Sequence, residues 1–486
     1  MKTLILLLLP LAAVAQTVPF GEFFEPTTLR IDYYHTGNSA EEEVTVDRLL
    51  IGGAWAGNPA SLIDHFGAGR YAVKVYDLAT NRLIYARGYD SYYGEYKTTD
   101  VARAGVKRTY HESVLIPLPK RKALLVFEMR DGRNLYHPKW TRVVDPGHYA
   151  IVREKPARGD RVVPVVRGGD PARAVDIVVL AEGYTAAEES KFEKDLSRYA
   201  EILFSVEPYR RNRPRFNVSG IFVASAESGV DEPRQGVFRN TAFGCSFNAL
   251  DSDRYLMTEG NRALRDAAAQ VPYDIILVMV NSTRYGGGGI YGTYSDFTSD
   301  GPMNEHLFHH EFAHAFGGLG DEYYSSDVAV SEFYPQGVEP TDPNLTALLD
   351  PAALKWKDLV PAGLAIPTEW GKRTFDSLGA VQGELAKERS ERTAALRASG
   401  AADSTLRALE RDYGARIRAA SDAQVSFMAN HPLRGKIGAF EGGGYRSRGI
   451  YRPTVNSIMH QFNASDKQFF GVNERALEQM IQFYTR

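Results

Sequence analysis

The chain has 486 residues, enough for two or three domains, and its 57 basic and 60 acidic side chains leave a formal charge of −3. That balance, with no basic run interleaved with aromatics, argues against a nucleic-acid partner. A single cysteine, Cys245, excludes an internal disulfide, so stability must come from core packing and bound ions.

The first element in the chain is a leader. Lys2 precedes the apolar run Leu4 to Leu11, and Ala13-Val14-Ala15 supplies a small-residue cleavage site. Residues 1–15 therefore read as a secretory signal peptide, and the mature protein as exported to a periplasm, a cell surface or the medium. The apolar run is too short for a membrane span, and no later segment is long and apolar enough. Residues 16–155 read as a β-sandwich domain. Thr28 to Tyr34 and Tyr71 to Asp77 alternate, Leu124 to Glu128 is a further strand, and turn residues punctuate them. The polar and basic stretch Arg153 to Asp160 marks a boundary.

From about residue 165 to 486 the pattern changes. Val175 to Leu180 is a buried-strand run. Ala186 to Val206 has helical spacing in Phe192, Leu196, Tyr199 and Leu203. A strand over Phe216 to Ala224, a helix over Ser252 to Gln270 and a buried strand over Asp274 to Val280 follow. Four glycines open Tyr285 to Tyr294, and a helix is predicted from about Met303 to Phe316. Residues 378–425 are rich in Ala, Arg and Glu. A break at Gly400 and the stripe Leu406, Leu409, Tyr413 and Ile417 predict an inserted helical hairpin. The predicted fold class is α+β.

The chemistry concentrates at His310-Glu311-Phe312-Ala313-His314. Residues four apart share a helix face, so His310 and His314 point together and can share one Zn²⁺. Glu311 reaches the open coordination position, where it can take a proton from a water that the metal acidifies. His309 lies five residues from His314 and off that face. Gly317-Gly318 ends the helix and lets the chain turn back with a third ligand. The position six past His314 is Gly320, which has no side chain. Asp321 is the choice for that ligand, and Glu322 is its rival or a group that orients a histidine.

Other candidates surround this motif. Met459, in Asn456-Ser457-Ile458-Met459-His460, is placed in a tight turn as an apolar floor beneath the metal, a Met-turn. Gly289 to Tyr294 reads as an exposed edge strand, with Gly289, Ile290 and Tyr291 contacting an extended polypeptide substrate. An oxyanion stabiliser is expected among Tyr445, Tyr451, Arg446, Arg448 and Arg452, with Tyr451 favoured.

These residues carry a family likeness. Leu180-Ala181-Glu182-Gly183-Tyr184-Thr185, Thr241 to Asn248, Ser252 to Leu256, His310 to Tyr323 and Tyr451 to Met459 together resemble the IgA Peptidase family of bacterial secreted zinc metallopeptidases. The segment Leu29 to Gly37 resembles the β-sandwich domain that precedes the catalytic domain in that family. The resemblance implies a zincin-like catalytic domain, His310, His314 and Asp321 as zinc ligands, and Glu311 as catalytic base. One departure is visible: members often carry cysteines around the Met-turn, where this chain has Ser457, so that loop must be held differently.

The expected function is hydrolysis of peptide bonds by a zinc-activated water. Two alternatives compete with it. A binding or adhesion protein could use the same scaffold, with the N-terminal domain contacting glycan or protein, but it has no need of Glu311. A zinc hydrolase of a non-peptide bond has less use for an edge strand.

Overall fold

The structure, a computed structural model, describes residues 18–153, 159–324, 333–460 and 467–486. The leader at 1–15 and part of the boundary stretch 153–160 lie outside the described residues. Seven strands make up the N-terminal region: β1 (Phe24–Gly37), β2 (Glu42–Ala54), β3 (Tyr71–Asp77), β4 (Arg82–Tyr89), β5 (Arg108–Pro119), β6 (Ala123–Arg130) and β7 (Tyr136–Val144). They form two antiparallel sheets, ordered β2-β1-β5 and β4-β3-β6-β7. Alternate residues face inward, as an extended strand requires. Leu29, Ile31 and Tyr33 of β1 thereby meet Val73 and Val75 of β3 and Leu125 and Phe127 of β6 in one core.

A buried ionic group ties this region together. His35 on β1 stacks on Tyr93, its Nδ1 lies 2.8 Å from Glu112 Oε2, and its Nε2 lies 2.7 Å from Glu42 Oε1. Lys97 adds a second cation to Glu42. Burial disfavours charge on His35, but Glu112 and Glu42 outweigh it and lift the imidazole to about 9. A histidine whose folded pKa is raised contributes stability that is complete below its unfolded value near 6.5 and is lost as pH rises through about 9. At about 1.4 kcal/mol per pH unit, the upper limit of that contribution is about 3 kcal/mol. Denaturant melts are expected to show the native protein losing stability between pH 7 and 10, and His35→Leu removing most of that slope.

The second region is built on a six-stranded sheet ordered β14-β15-β13-β9-β10-β8. Its strands are β8 (Arg161–Arg167), β9 (Val175–Glu182), β10 (Phe216–Phe222), β13 (Ile275–Val280), β14 (Gly287–Ile290) and β15 (Tyr294–Thr298). The two-residue strands β11 (Cys245–Ser246) and β12 (Met257–Thr258) pair separately, as do β16 (Phe440–Gly443) and β17 (Arg446–Arg452). The four inner strands are parallel, and the edges β8 and β14 are antiparallel to their neighbours.

Every residue of β9 and β13 is buried, because both faces of the sheet are covered. Val175, Ile177, Val179, Ile275 and Leu277 meet the helices Glu189–Leu203, Asn304–Gly317 and Phe470–Thr485. Val178, Leu180, Ile276 and Val278 meet Leu264 together with Tyr92, Tyr93 and Tyr96 of the N-terminal region. The N-terminal region thus closes one face of the second sheet. Arg87 on Tyr484, the Asp90 N–H on Tyr291 O, and Arg30 on Asp266 fasten it there.

The helix expected over Ser252 to Gln270 is shorter, Asn261–Ala268. Residues before it are used for pairing instead: Met257 pairs with Ser246, and Tyr255 lies against Gly287 at the sheet edge. Strand pairing there takes precedence over helical periodicity. Two 27-residue helices, Lys372–Ala398 and Asp403–Ala429, are joined through Gly400 at φ +69° and pack on each other through Phe375, Phe427 and Met428. Among the described residues, no helix is long and apolar enough to cross a membrane.

Candidate metal centre and substrate cleft

The helix Asn304–Gly317 brings His310 and His314 onto one face, and Gly318, at φ +61°, ends it in a left-handed cap. The reversal returns Asp321 to the two rings. His310 Nε2 lies 3.1 Å from His314 Nε2, and Asp321 Oδ1 lies 3.0 and 3.2 Å from them. Glu322, the rival ligand, is turned into the interior. Its Oε1 accepts from Asn344 and Asn473 and its Oε2 from Ser457 Oγ, at 2.7 to 3.0 Å.

Protons decide what this triangle can hold. His310 Nδ1 is 3.0 Å from the carbonyl of Ile458, and His314 Nδ1 is 2.5 Å from that of Leu319. A carbonyl only accepts, so each Nδ1 carries a hydrogen, and Nε2 is the ring atom each histidine turns toward the triangle. Asp321 Oδ1 is buried and receives no hydrogen bond. Two ring nitrogens and a carboxylate oxygen then face one another, an arrangement that calls for positive charge, from a metal ion or from a proton on a ring. Ligand atoms about 2.0–2.1 Å from a tetrahedral ion stand about 3.3 Å apart, close to the edges seen. His310, His314 and Asp321 can therefore hold a metal ion. Without a metal, a proton on His314 supplies that charge. Burial disfavours charge on His314, yet Asp321 outweighs it and lifts the ring to about 10. Against the same burial, His314 and His310 hold the Asp321 carboxyl well below its usual range.

Glu311 lies beside the triangle on the cleft wall, and burial pushes its carboxyl up against the pull of both histidines. The edge strand packs close above it. A Cβ on Gly289 would stand 2.3 Å from Glu311 O, and one on Gly287 3.2 Å from Glu311 Cγ, so only glycine fits. The edge strand is Gly287–Ile290 rather than Gly289 to Tyr294. Residues 291–293 turn the chain, and Tyr294 already belongs to the next strand inward, β15. Ile290 and Tyr291 bury their side chains in the two cores, and the Tyr291 carbonyl accepts from the Asp90 N–H.

Tyr451 lies outside the cleft, which corrects the expectation for it. Its main chain pairs both ways with Thr346, and its ring packs beside Leu354 and Trp356. Tyr445, at the turn between β16 and β17, reaches the site instead and donates its hydroxyl hydrogen to Asp321 Oδ2. Met459 is fully buried, directly after Ile458, whose carbonyl holds His310. Its own carbonyl accepts from the Glu322 N–H at 2.8 Å. Ser457 donates to Glu322 and accepts from the Met459 N–H, so a hydrogen-bond network holds this loop.

The cleft over the triangle measures about 440 Å³. Its second wall, which the sequence did not reveal, comes from the N-terminal region: Arg70, Glu95 and Arg130 line it opposite Tyr323 and Arg254. Arg70 is fixed by the Gly94 carbonyl and by Phe333 beneath its guanidinium. No spacing in the chain announces such residues, because they reach the cleft only through docking of the two regions.

Comparison with known families agrees with the geometry. Residues 163–481 match the family described as IgA Peptidase M64, and residues 19–141 match that described as Peptidase M64 N-terminus. No curated protein matches the chain. The first match spans most of the chain, so the protein belongs to the IgA peptidase M64 family and is a peptidase.

Proposed function

We propose that the protein is an exported zinc metalloendopeptidase with a zincin-like domain at 165–486, an N-terminal β-sandwich domain at 16–155 and a helical insertion at 378–425. His310, His314 and Asp321 are the zinc ligands, and Glu311 is the general base. The observation that carries this reading is the triangle of two Nε2 atoms and one carboxylate oxygen, 3.0–3.2 Å on edge, with Glu311 adjacent. Zinc suits two imidazoles and a carboxylate with a fourth position open. When bound, it supplies Lewis acidity, which polarises a carbonyl and acidifies water.

The chain's own residues do the rest. Glu311 takes the proton of the attacking water on a carboxylate oxygen and passes it to the leaving amine nitrogen. Its raised pKa suits a group that must both accept and return a proton. The glycine main chain of the edge strand lies along the cleft, which favours an extended polypeptide paired as an added strand. Met459 and Ile458 form the floor beneath the histidines. The leader at 1–15 supports export.

Metal analysis of the purified protein, with cleavage of a diverse peptide library, tests this. One zinc per chain is expected, with cleavage abolished by a chelator and restored by zinc. Cleavage indifferent to the chelator, in protein without zinc, would overturn the proposal.

A further inference from the structure

We infer that Tyr445 is a positioning residue for the third ligand: its hydroxyl holds Asp321 Oδ2, so that Oδ1 alone turns toward the metal. This rests on the reading of Asp321 as a ligand.

The two carboxylate oxygens of Asp321 have different surroundings. Oδ1 faces both histidines and receives no hydrogen bond, whereas Oδ2 accepts from Tyr445. A carboxylate oxygen only accepts, so in this contact the Tyr445 hydroxyl is the donor. An unrestrained carboxylate can offer a metal one oxygen or two. With Oδ2 occupied, the second oxygen cannot take the coordination position that water and substrate need.

The backbone shows what is given up to put that hydroxyl there. Tyr445 sits at φ +61° directly after Gly444 at φ +54°. Two successive left-handed residues make a tight hairpin turn, where glycine or asparagine is usual and a bulky aromatic costs about 1–2 kcal/mol. The turn is docked on the ligand segment itself. The Gly444 N–H donates to Asp321 O at 2.8 Å, and the Tyr445 N–H to Tyr323 O at 3.0 Å. Ring packing fixes the phenol as well, with Tyr323 at 5.6 Å and Phe333 at 5.8 Å between centroids. Main chain, ring and hydroxyl all converge on Asp321, which a turn needed only to link two strands does not require.

Tyr445→Phe keeps the ring and the turn and removes only the hydroxyl. Zinc affinity, measured by competition with a chromophoric chelator, is expected to fall about 10- to 100-fold, the usual effect of losing a partner to a metal ligand. The visible spectrum of the cobalt-substituted protein is expected to weaken as the second oxygen raises the coordination number. The melting temperature of the metal-free protein should hold. Unchanged affinity and an unchanged cobalt spectrum would overturn the inference. Asp321→Asn, measured alongside, separates the two readings: if it leaves zinc affinity intact, Asp321 is not a ligand and both fail together. If Tyr445→Phe does not fold, Tyr445→Asn carries the same test, since asparagine tolerates the left-handed turn and is too short to reach Oδ2.

Discussion

Glu311→Ala is expected to cut peptide hydrolysis by about 100- to 10,000-fold while zinc stays bound at full occupancy. The asymmetry follows from position. Glu311 shares the helix with both histidines but takes no part in the triangle formed by the two Nε2 atoms and Asp321 Oδ1. Truncating it removes an acceptor for the water proton and leaves the three proposed ligands and the carbonyls that orient the rings in place. Steady-state cleavage of a peptide found in the library screen, with zinc content measured on the same sample, gives both numbers. Alanine also relieves crowding against Gly287 rather than adding to it, so the fold is not threatened. Retained hydrolysis in a zinc-loaded Glu311→Ala protein would mean that another group takes the proton. Arg254, Tyr285 and Tyr323, which line the same cleft, cannot readily serve as that base: burial keeps both phenols protonated and Arg254 is a cation.

How far the sequence reached into this site depended on distance along the chain. His310, Glu311 and His314 lie within one turn and a half of helix, so helical geometry alone fixes their relation. Asp321 was reachable because a glycine cap leaves a short reversal with few side chains to choose from. Tyr445 and Tyr451 sit on one short hairpin, and nothing in the sequence states that the turn, and not the strand, points at Asp321. That depends on the left-handed pair Gly444-Tyr445, unusual for an aromatic residue. The wall with Arg70 and Glu95 depends on Tyr92, Tyr93 and Tyr96 packing across a sheet from residues more than 80 positions away. The segment before Asn261 misled in the opposite sense: it is the start of the helix expected over Ser252 to Gln270, yet edge pairing with Gly287 claims Tyr255 and packing behind it claims Leu256.

Asp321 and Glu322 are neighbours in sequence, and their substitution is expected to fail in opposite ways. Asp321→Ala removes a group that faces the histidines and should abolish zinc binding, while the metal-free fold loses only the pairing of Asp321 with the two rings and the Tyr445 hydroxyl. Glu322→Ala should do the reverse. Its carboxylate, fully buried, accepts from Asn344, Asn473 and Ser457. Each donor left without a partner in the interior costs about 1–3 kcal/mol, so for the three donors a destabilisation of about 3–9 kcal/mol is expected. Ser457 in turn receives the Met459 N–H, and Met459 and Ile458 carry the carbonyls that fix the Glu322 main chain and His310. Loss of Glu322 therefore loosens the Ile458–Met459 segment that orients His310, and zinc affinity declines only as far as that segment and the fold give way. Glu322→Gln, which keeps a carbonyl acceptor at the same reach, should recover part of the stability. Denaturant melts of the metal-free variants, set beside zinc titrations, separate the two residues. A stable Glu322→Ala protein that has lost its zinc would reassign the third ligand to Glu322. The converse pattern fits a pair in which one carboxylate holds the ion and the next holds the loop through Ser457.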